Sequence, residues 1–119
     1  MTRRQERVNG LLRQELSSLL AKELKDPRLS LLVTITRVDA SVDLRHARVF
    51  VSVLGSAEEQ RSAIATLQAA AGFLHHQLKE RLSLRYIPSL SFTLDQSLER
   101  GARMLQMLDA LSSSQEPAP

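Results

Sequence analysis

"AAAGFLHHQLKERL", Ala69 to Leu82, is the stretch whose reading decides the fold. Three alanines and an apolar run ask for an uninterrupted helix, yet Gly72 stands in the middle of it. Glycine in a helix interior costs roughly 0.5–1 kcal/mol relative to alanine, because it gives up more backbone freedom on ordering. On a helical wheel of about 100° per residue, Leu74, Leu78 and Leu82 fall together while His75, His76 and Lys79 project to the other side. Phe73 lies off the apolar stripe if the helix is straight. Two readings account for the glycine. A kink at Gly72 turns the axis, returns Phe73 to the core and opens fresh backbone N–H groups as an anion seat. Alternatively, the bare backbone allows close packing against another element.

The flanking segments supply the rest of the architecture. Thr2 and Gln5 have capping-box spacing, and Val8, Leu11, Leu12, Leu16, Leu19, Leu20 and Leu24 form one stripe at helical spacing. A helix is expected from about Arg3 to Leu24, stopping at Lys25-Asp26-Pro27, where Pro27 pushes Asp26 out of the helical region. Leu31–Thr36 is β-branched and reads as a strand, as does Ala47–Leu54, where alternate residues are apolar. The short polar link Asp39–Arg45 makes the two an antiparallel hairpin. Ser56 and Glu59 repeat the capping box and start a helix with Ala63, Ile64, Leu67 and Ala71 facing inward.

Ser89–Asp95 alternates strictly, with Pro88 at the start, where a strand tolerates proline. Leu98, Ala102, Leu105, Leu108 and Leu111 suggest a short terminal helix. The order helix, strand, strand, helix, break, helix, strand implies an α+β domain, with helices on one face of a three-stranded sheet. Residues 1–111 form this single domain, and residues 112–119 are expected to be a disordered tail.

Composition narrows the function. The chain has 119 residues, enough for one domain with a real core. It has no cysteine, hence no disulfide and no thiolate metal site, which fits a reducing compartment. The charged N-terminus has no apolar signal core, and no run approaches the roughly 18 apolar residues of a membrane span; a cytoplasmic location is expected. The net charge is only +3, but Arg3, Arg4, Arg7 and Arg13 crowd the first helix while Lys79, Arg81 and Arg85 follow the opening stretch. Such clusters suit an anionic partner such as RNA, or are simply solvated helix faces. With only Phe50, Phe73, Tyr86 and Phe92 as aromatics, the chain is poorly equipped to stack a run of bases on a sheet.

The sequence offers no catalytic constellation. His75 and His76 are adjacent, so on a helix they diverge by about 100° instead of lining up as an i, i+4 metal pair. There is no Gly-rich phosphate loop and no nucleophile with an evident base. Asp39 and Asp43 flank a turn, where acidic residues commonly serve the backbone. The expectation is a protein that is not an enzyme and uses no metal or cofactor.

The RNA-binding KH module has a similar helix–loop–helix beside a three-stranded sheet, with a G-x-x-G loop clamping the backbone. Here no G-x-x-G occurs, and Ala70-Ala71-Gly72, an A-x-G, stands in its place. That replacement, with "RVNGLLRQELSSLL", "KDPRL", "VTITRVDASVDLRHARVFVSVLG" and "AAGFLHHQLKERLSLRYIPSLSFTLDQSLERG", resembles the ribosome-binding factor A family over about Arg3 to Leu111. The resemblance implies a KH-like type II fold and a bacterial assembly factor. Such a factor binds the free or immature 30S subunit and its 16S rRNA, and assists late maturation and 5′-end processing, notably in the cold. It further implies a cytoplasmic monomer with no cofactor, no small-molecule substrate and no membrane association. Without G-x-x-G, contact by shape and phosphate is the better expectation.

The candidate RNA contacts are Lys79, Arg81 and Arg85, with His75, His76, Ala70 and Gly72 around the kink. Arg3, Arg4 and Arg7 form a second cluster, and Arg45 and Arg48 a weaker third. Two other functions fit the same charge pattern: a general RNA chaperone, or an adaptor that docks a protein through its sheet edge or first helix.

Overall fold

The computed structural model describes residues 1–22 and 33–115. Helix α1 spans Arg3–Lys22. Its start is the reciprocal cap that the spacing implies: the Gln5 N–H donates to Thr2 Oγ1 at 3.1 Å, and the Thr2 N–H donates to Gln5 Oε1 at 2.9 Å. Val8, Leu12, Leu16, Leu19 and Leu20 are buried along one face. The expected stop at Lys25-Asp26-Pro27, and Leu24 with it, lie outside the described residues.

Strands β1 (Val33–Ala40) and β2 (His46–Val53) pair antiparallel, with Val33 opposite Val53 and Ala40 opposite Ala47. β1 continues past Thr36 because Val38 and Ala40 keep placing apolar side chains on the core face. The turn is therefore shorter than the expected link, Ser41 to Arg45. Of the strand expected over Leu31–Thr36, Leu31 and Leu32 lie outside the described residues. The register slips between Ile35 and Arg37, leaving Thr36 without a cross-strand partner in a bulge.

Ser56 accepts from Glu59 N–H and Glu59 reaches back to Ser56 N–H, opening α2 (Ala57–Ala69). Gly55, just before, has φ +137°, a conformation that side-chain-bearing residues avoid. α3 follows over Ala71–Arg81 and leads to β3, Ser89–Leu94. β3 lies parallel to β2, giving sheet order β1-β2-β3. A parallel neighbour requires a crossover, and α2 and α3 supply it. Helices α1, α2 and α3 pack on the face that carries Ile35, Val38, Val49, Val51, Leu90 and Phe92. On the outer edge of β3, Gln68 accepts from Phe92 N–H at 3.0 Å, which ties α2 to the strand. The α+β order is the one expected.

The helical segment breaks within Ala70-Ala71-Gly72 as expected, between α2 and α3, but not by the route read from Gly72. The interruption centres on Ala70, whose φ −86° and ψ −1° are right-handed helical values. Its N–H bonds the Thr66 carbonyl at 3.0 Å and its own carbonyl accepts from Leu74 N–H at 2.9 Å, so the ladder passes through it. Phe73 is 44% exposed, so the break does not return it to the core. A Cβ built on Gly72 meets nothing within 4 Å, so close packing does not explain the glycine either. No side chain caps the restart.

The terminal helix α4 is Ser97–Gln115, 19 residues long. It enters the segment expected as a tail, and residues 116–119 lie outside the described residues. Of its apolar stripe, Leu105, Leu108 and Leu111 are all more than half exposed.

Candidate nucleic-acid interface

Two basic segments far apart in sequence meet at the turn end of the helical layer. Arg4, Arg7 and Val8 of α1, Val42, Asp43 and Leu44 of the β1–β2 turn, and residues 83–86 line a cleft of about 440 Å³. A second cleft, of about 300 Å³, lies between α3 and the loop after it, with His75 and Lys79 on one side and Leu84 to Ile87 on the other. Both clefts are lined by Leu84, Arg85 and Tyr86, which form the wall between them. Arg4, Arg7, Arg85 and Lys79 thus border one continuous cationic surface.

Hydrogen bonds hold each side in place. Gln5, 7% exposed, donates from Nε2 to the Ala40 carbonyl at 3.0 Å. Asn9 Oδ1 accepts from the Ala40 N–H at 2.8 Å. Both backbone groups of Ala40, at the base of the turn, are therefore satisfied by α1. This fixes Arg4 and Arg7 beside the turn. Within the turn, Asp43 Oδ1 accepts from Ser41 Oγ at 2.6 Å and from Arg45 N–H at 3.1 Å. The Ser41 hydroxyl first, then the Arg45 amide, hold the Asp43 carboxyl below the usual carboxylate range. A carboxylate is thereby kept charged in the cleft that also carries Arg4, Arg7 and Arg85. Leu44 has φ 60°, a left-handed conformation costing roughly 1–3 kcal/mol for such a residue. Its side chain is buried in the core, which offsets that strain.

The loop after α3 is anchored as well. His75 Nε2 donates to the Ile87 carbonyl at 3.0 Å, Leu84 and Ile87 pack on the core, and Pro88 is fully buried. At the far side of the turn, Ser89 N–H bonds the Arg45 carbonyl at 2.8 Å. Arg85 and Tyr86 therefore project from a fixed segment, with the Arg85 guanidinium 5.5 Å from the Tyr86 ring centroid.

The sequence candidates separate into those gathered here and those not. Arg4, Arg7, Lys79 and Arg85 line the two clefts, and His75 lines one while bracing its wall. Arg3, Arg45 and Arg81 are exposed but line neither cleft. His76 is exposed, with Nε2 3.2 Å from Glu80 Oε1. Ala70 is half-buried against the core and Gly72 is exposed, and neither lines a cleft. Arg48 lies on the sheet face away from the core, paired in register with Asp39 and Ser91. On that face Arg37, which the sequence did not single out, stacks 4.2 Å above the Phe50 ring and pairs with Asp39 at 3.2 Å. Tyr86, Gln5 and Asn9 were also missed. For Gln5 and Asn9 the available signal was a polar pair at i, i+4 beside the apolar stripe; for Tyr86 it was an aromatic outside any periodic pattern.

An α+β domain with a cationic surface at one end is a binding module by build. The family model described as ribosome-binding factor A matches residues 4–108. The ribosome-binding factor A of Acetivibrio thermocellus is 44% identical over 108 residues, covering 91% of this chain and 88% of that protein. That of Nitrosococcus oceani is 47% identical over 106 residues, covering 89% and 83%. The crystal structure of ribosome-binding factor A from Thermus thermophilus superposes with a TM-score of 0.65 at 28% identity, over 76% of this chain and 94% of that one. A homology model of the Thermus thermophilus factor, fitted into a cryo-EM map of a 30S complex with that factor, superposes with a TM-score of 0.60 at 27% identity, over 74% of this chain and 91% of that one. The chain belongs to the ribosome-binding factor A family.

Proposed function

We propose that this protein binds the free or immature 30S subunit through its 16S rRNA and assists late maturation, including processing near the 5′ end, with its greatest importance at low temperature. It acts without catalysis, as a monomer in the cytoplasm, where its ribosomal target resides. The observation that carries this reading is the union of Arg4, Arg7, Lys79 and Arg85 on one anchored surface. Cations on anchored segments suit phosphates of a folded RNA better than cations on mobile ones, because less backbone freedom is lost on contact. The relative placed in a 30S complex supports the same partner. The mechanism is occupancy: the bound domain favours one RNA arrangement by its differential affinity.

Titration of labelled protein with free small subunits, assembled ribosomes and an unrelated structured RNA tests this. Preference for the free subunit is expected. Equal affinity for all three leaves a general chaperone, and binding that survives RNase and moderate salt leaves a protein adaptor.

A further inference from the structure

We propose that Tyr86 is a stacking post for an unpaired RNA base, so that the cationic surface takes a single-stranded segment passing from the Lys79 cleft to the Arg4–Arg7 cleft. This rests on the RNA reading above and specifies the form of RNA held there. Tyr86 is 61% exposed, although a tyrosine ring normally covers its apolar face. It stands on the wall shared by both clefts, with Arg4 and Arg7 on one side, Lys79 on the other, and the Arg85 guanidinium at 5.5 Å from its ring centroid. Its segment is fixed by the His75–Ile87 bond and by buried Pro88, so the backbone that carries the ring is already placed. An aromatic between cations is the arrangement that binds single strands: the cations track the backbone while a base lies on the ring. A duplex offers no base face at such a post, because its bases are already stacked on one another. A single ring stacks any base, so the contact confers strandedness and not sequence.

The protein carries its own reporter, since Tyr86 is its only tyrosine and it has no tryptophan. Three RNAs of equal length are titrated at one salt concentration: a single-stranded oligouridine, a duplex, and an abasic strand with the same phosphates. Binding is followed by anisotropy of the labelled RNA and by tyrosine emission. The oligouridine is expected to quench tyrosine emission and to bind more tightly than the abasic strand. Y86A is expected to weaken oligouridine binding about five- to tenfold, toward the low end of what one base–aromatic stack contributes, with abasic binding unchanged. Y86F restores the affinity. Binding of oligouridine and abasic strand with equal affinity and equal quenching, or a Y86A variant that binds both as the parent does, overturns the stacking post. Failure of the RNA reading itself looks different: R4A/R7A/R85A then leaves every RNA affinity unchanged.

Discussion

The Thr36 hydroxyl lies 2.6 Å from Asp95 Oδ2, joining the bulge in β1 to the residue that follows β3 across the intervening strand. The same hydroxyl is 3.2 Å from the Phe50 carbonyl; it has one proton, and the shorter contact takes it. Asp95 Oδ1 meanwhile accepts from Ser97 N–H at 2.9 Å, at the start of α4. The bulge thus turns Thr36 to a use that regular pairing denies it.

These bonds, Thr36 first and the Ser97 amide second, lower the Asp95 pKa to about 2. A carboxyl depressed in the folded state contributes stability that is present above its unfolded value of 3.8 and lost as pH falls toward about 2. T36V is expected to raise the Asp95 pKa toward the ordinary value in an NMR titration. Its stability should be lower at neutral pH and fall less steeply over that acidic window. An unchanged Asp95 titration would show that Ser97, through its amide and hydroxyl, holds the carboxylate without Thr36.

Gly72 admits a sharp test because it has room for a side chain. Its Cβ position is open, its φ is not left-handed, and the helical ladder passes through neighbouring Ala70. G72A is expected to raise stability by about 0.5–1 kcal/mol, chiefly by restricting the unfolded chain. A denaturant midpoint that falls would contradict this. Loss of RNA affinity in a stabilised G72A would show that the bare backbone there is kept for a close approach by RNA.

Local signals carried much of the architecture. The Val8–Leu12–Leu16–Leu19 stripe, the Ser56–Glu59 box and the alternation Ala47–Val49–Val51–Val53 each lie within one segment, so their chemistry is readable without the rest of the chain. Gly72 misled because glycine marks conformational permission and not its use. The proposed interface was legible as separate clusters only. Arg4 and Arg85 come to line one cleft because α1 is pinned to Ala40 and β3 to Arg45, and no spacing encodes those bonds. The stripe on α4 identified a helix, but a stripe alone does not say whether a helix docks.

Gln5 links stability to the proposed interface. Its side chain closes the cap on α1 and bonds Ala40, so Q5A leaves a buried carbonyl short of a partner and the helix short of a cap. A loss of about 1–3 kcal/mol is expected, along with weaker RNA binding as Arg4 and Arg7 lose their fixed place. N9A removes the other bond to Ala40. Because both residues act on one backbone unit, the double variant should lose less than the two single losses added. Strict additivity would mean that the two bonds act independently.

The cations themselves are tested through salt. Each phosphate neutralised releases counterions, and log affinity falls against log salt with a slope of about 0.7 per contact on a single strand and about 0.9 on a duplex. If Arg4, Arg7, Lys79 and Arg85 each meet one phosphate, replacing all four by alanine should flatten the slope by about 3 to 4. All four are exposed, so the fold should survive, as circular dichroism can check. Arg48 is the internal control: it is also an exposed arginine, but it lies on the sheet face away from the helices. R48A should leave the slope within about 0.3 of the parent, less than half a contact. Net charge alone would make each substitution count equally wherever it sits. A change of slope in R48A equal to one quarter of that in the fourfold variant would therefore remove the interface and leave only diffuse attraction.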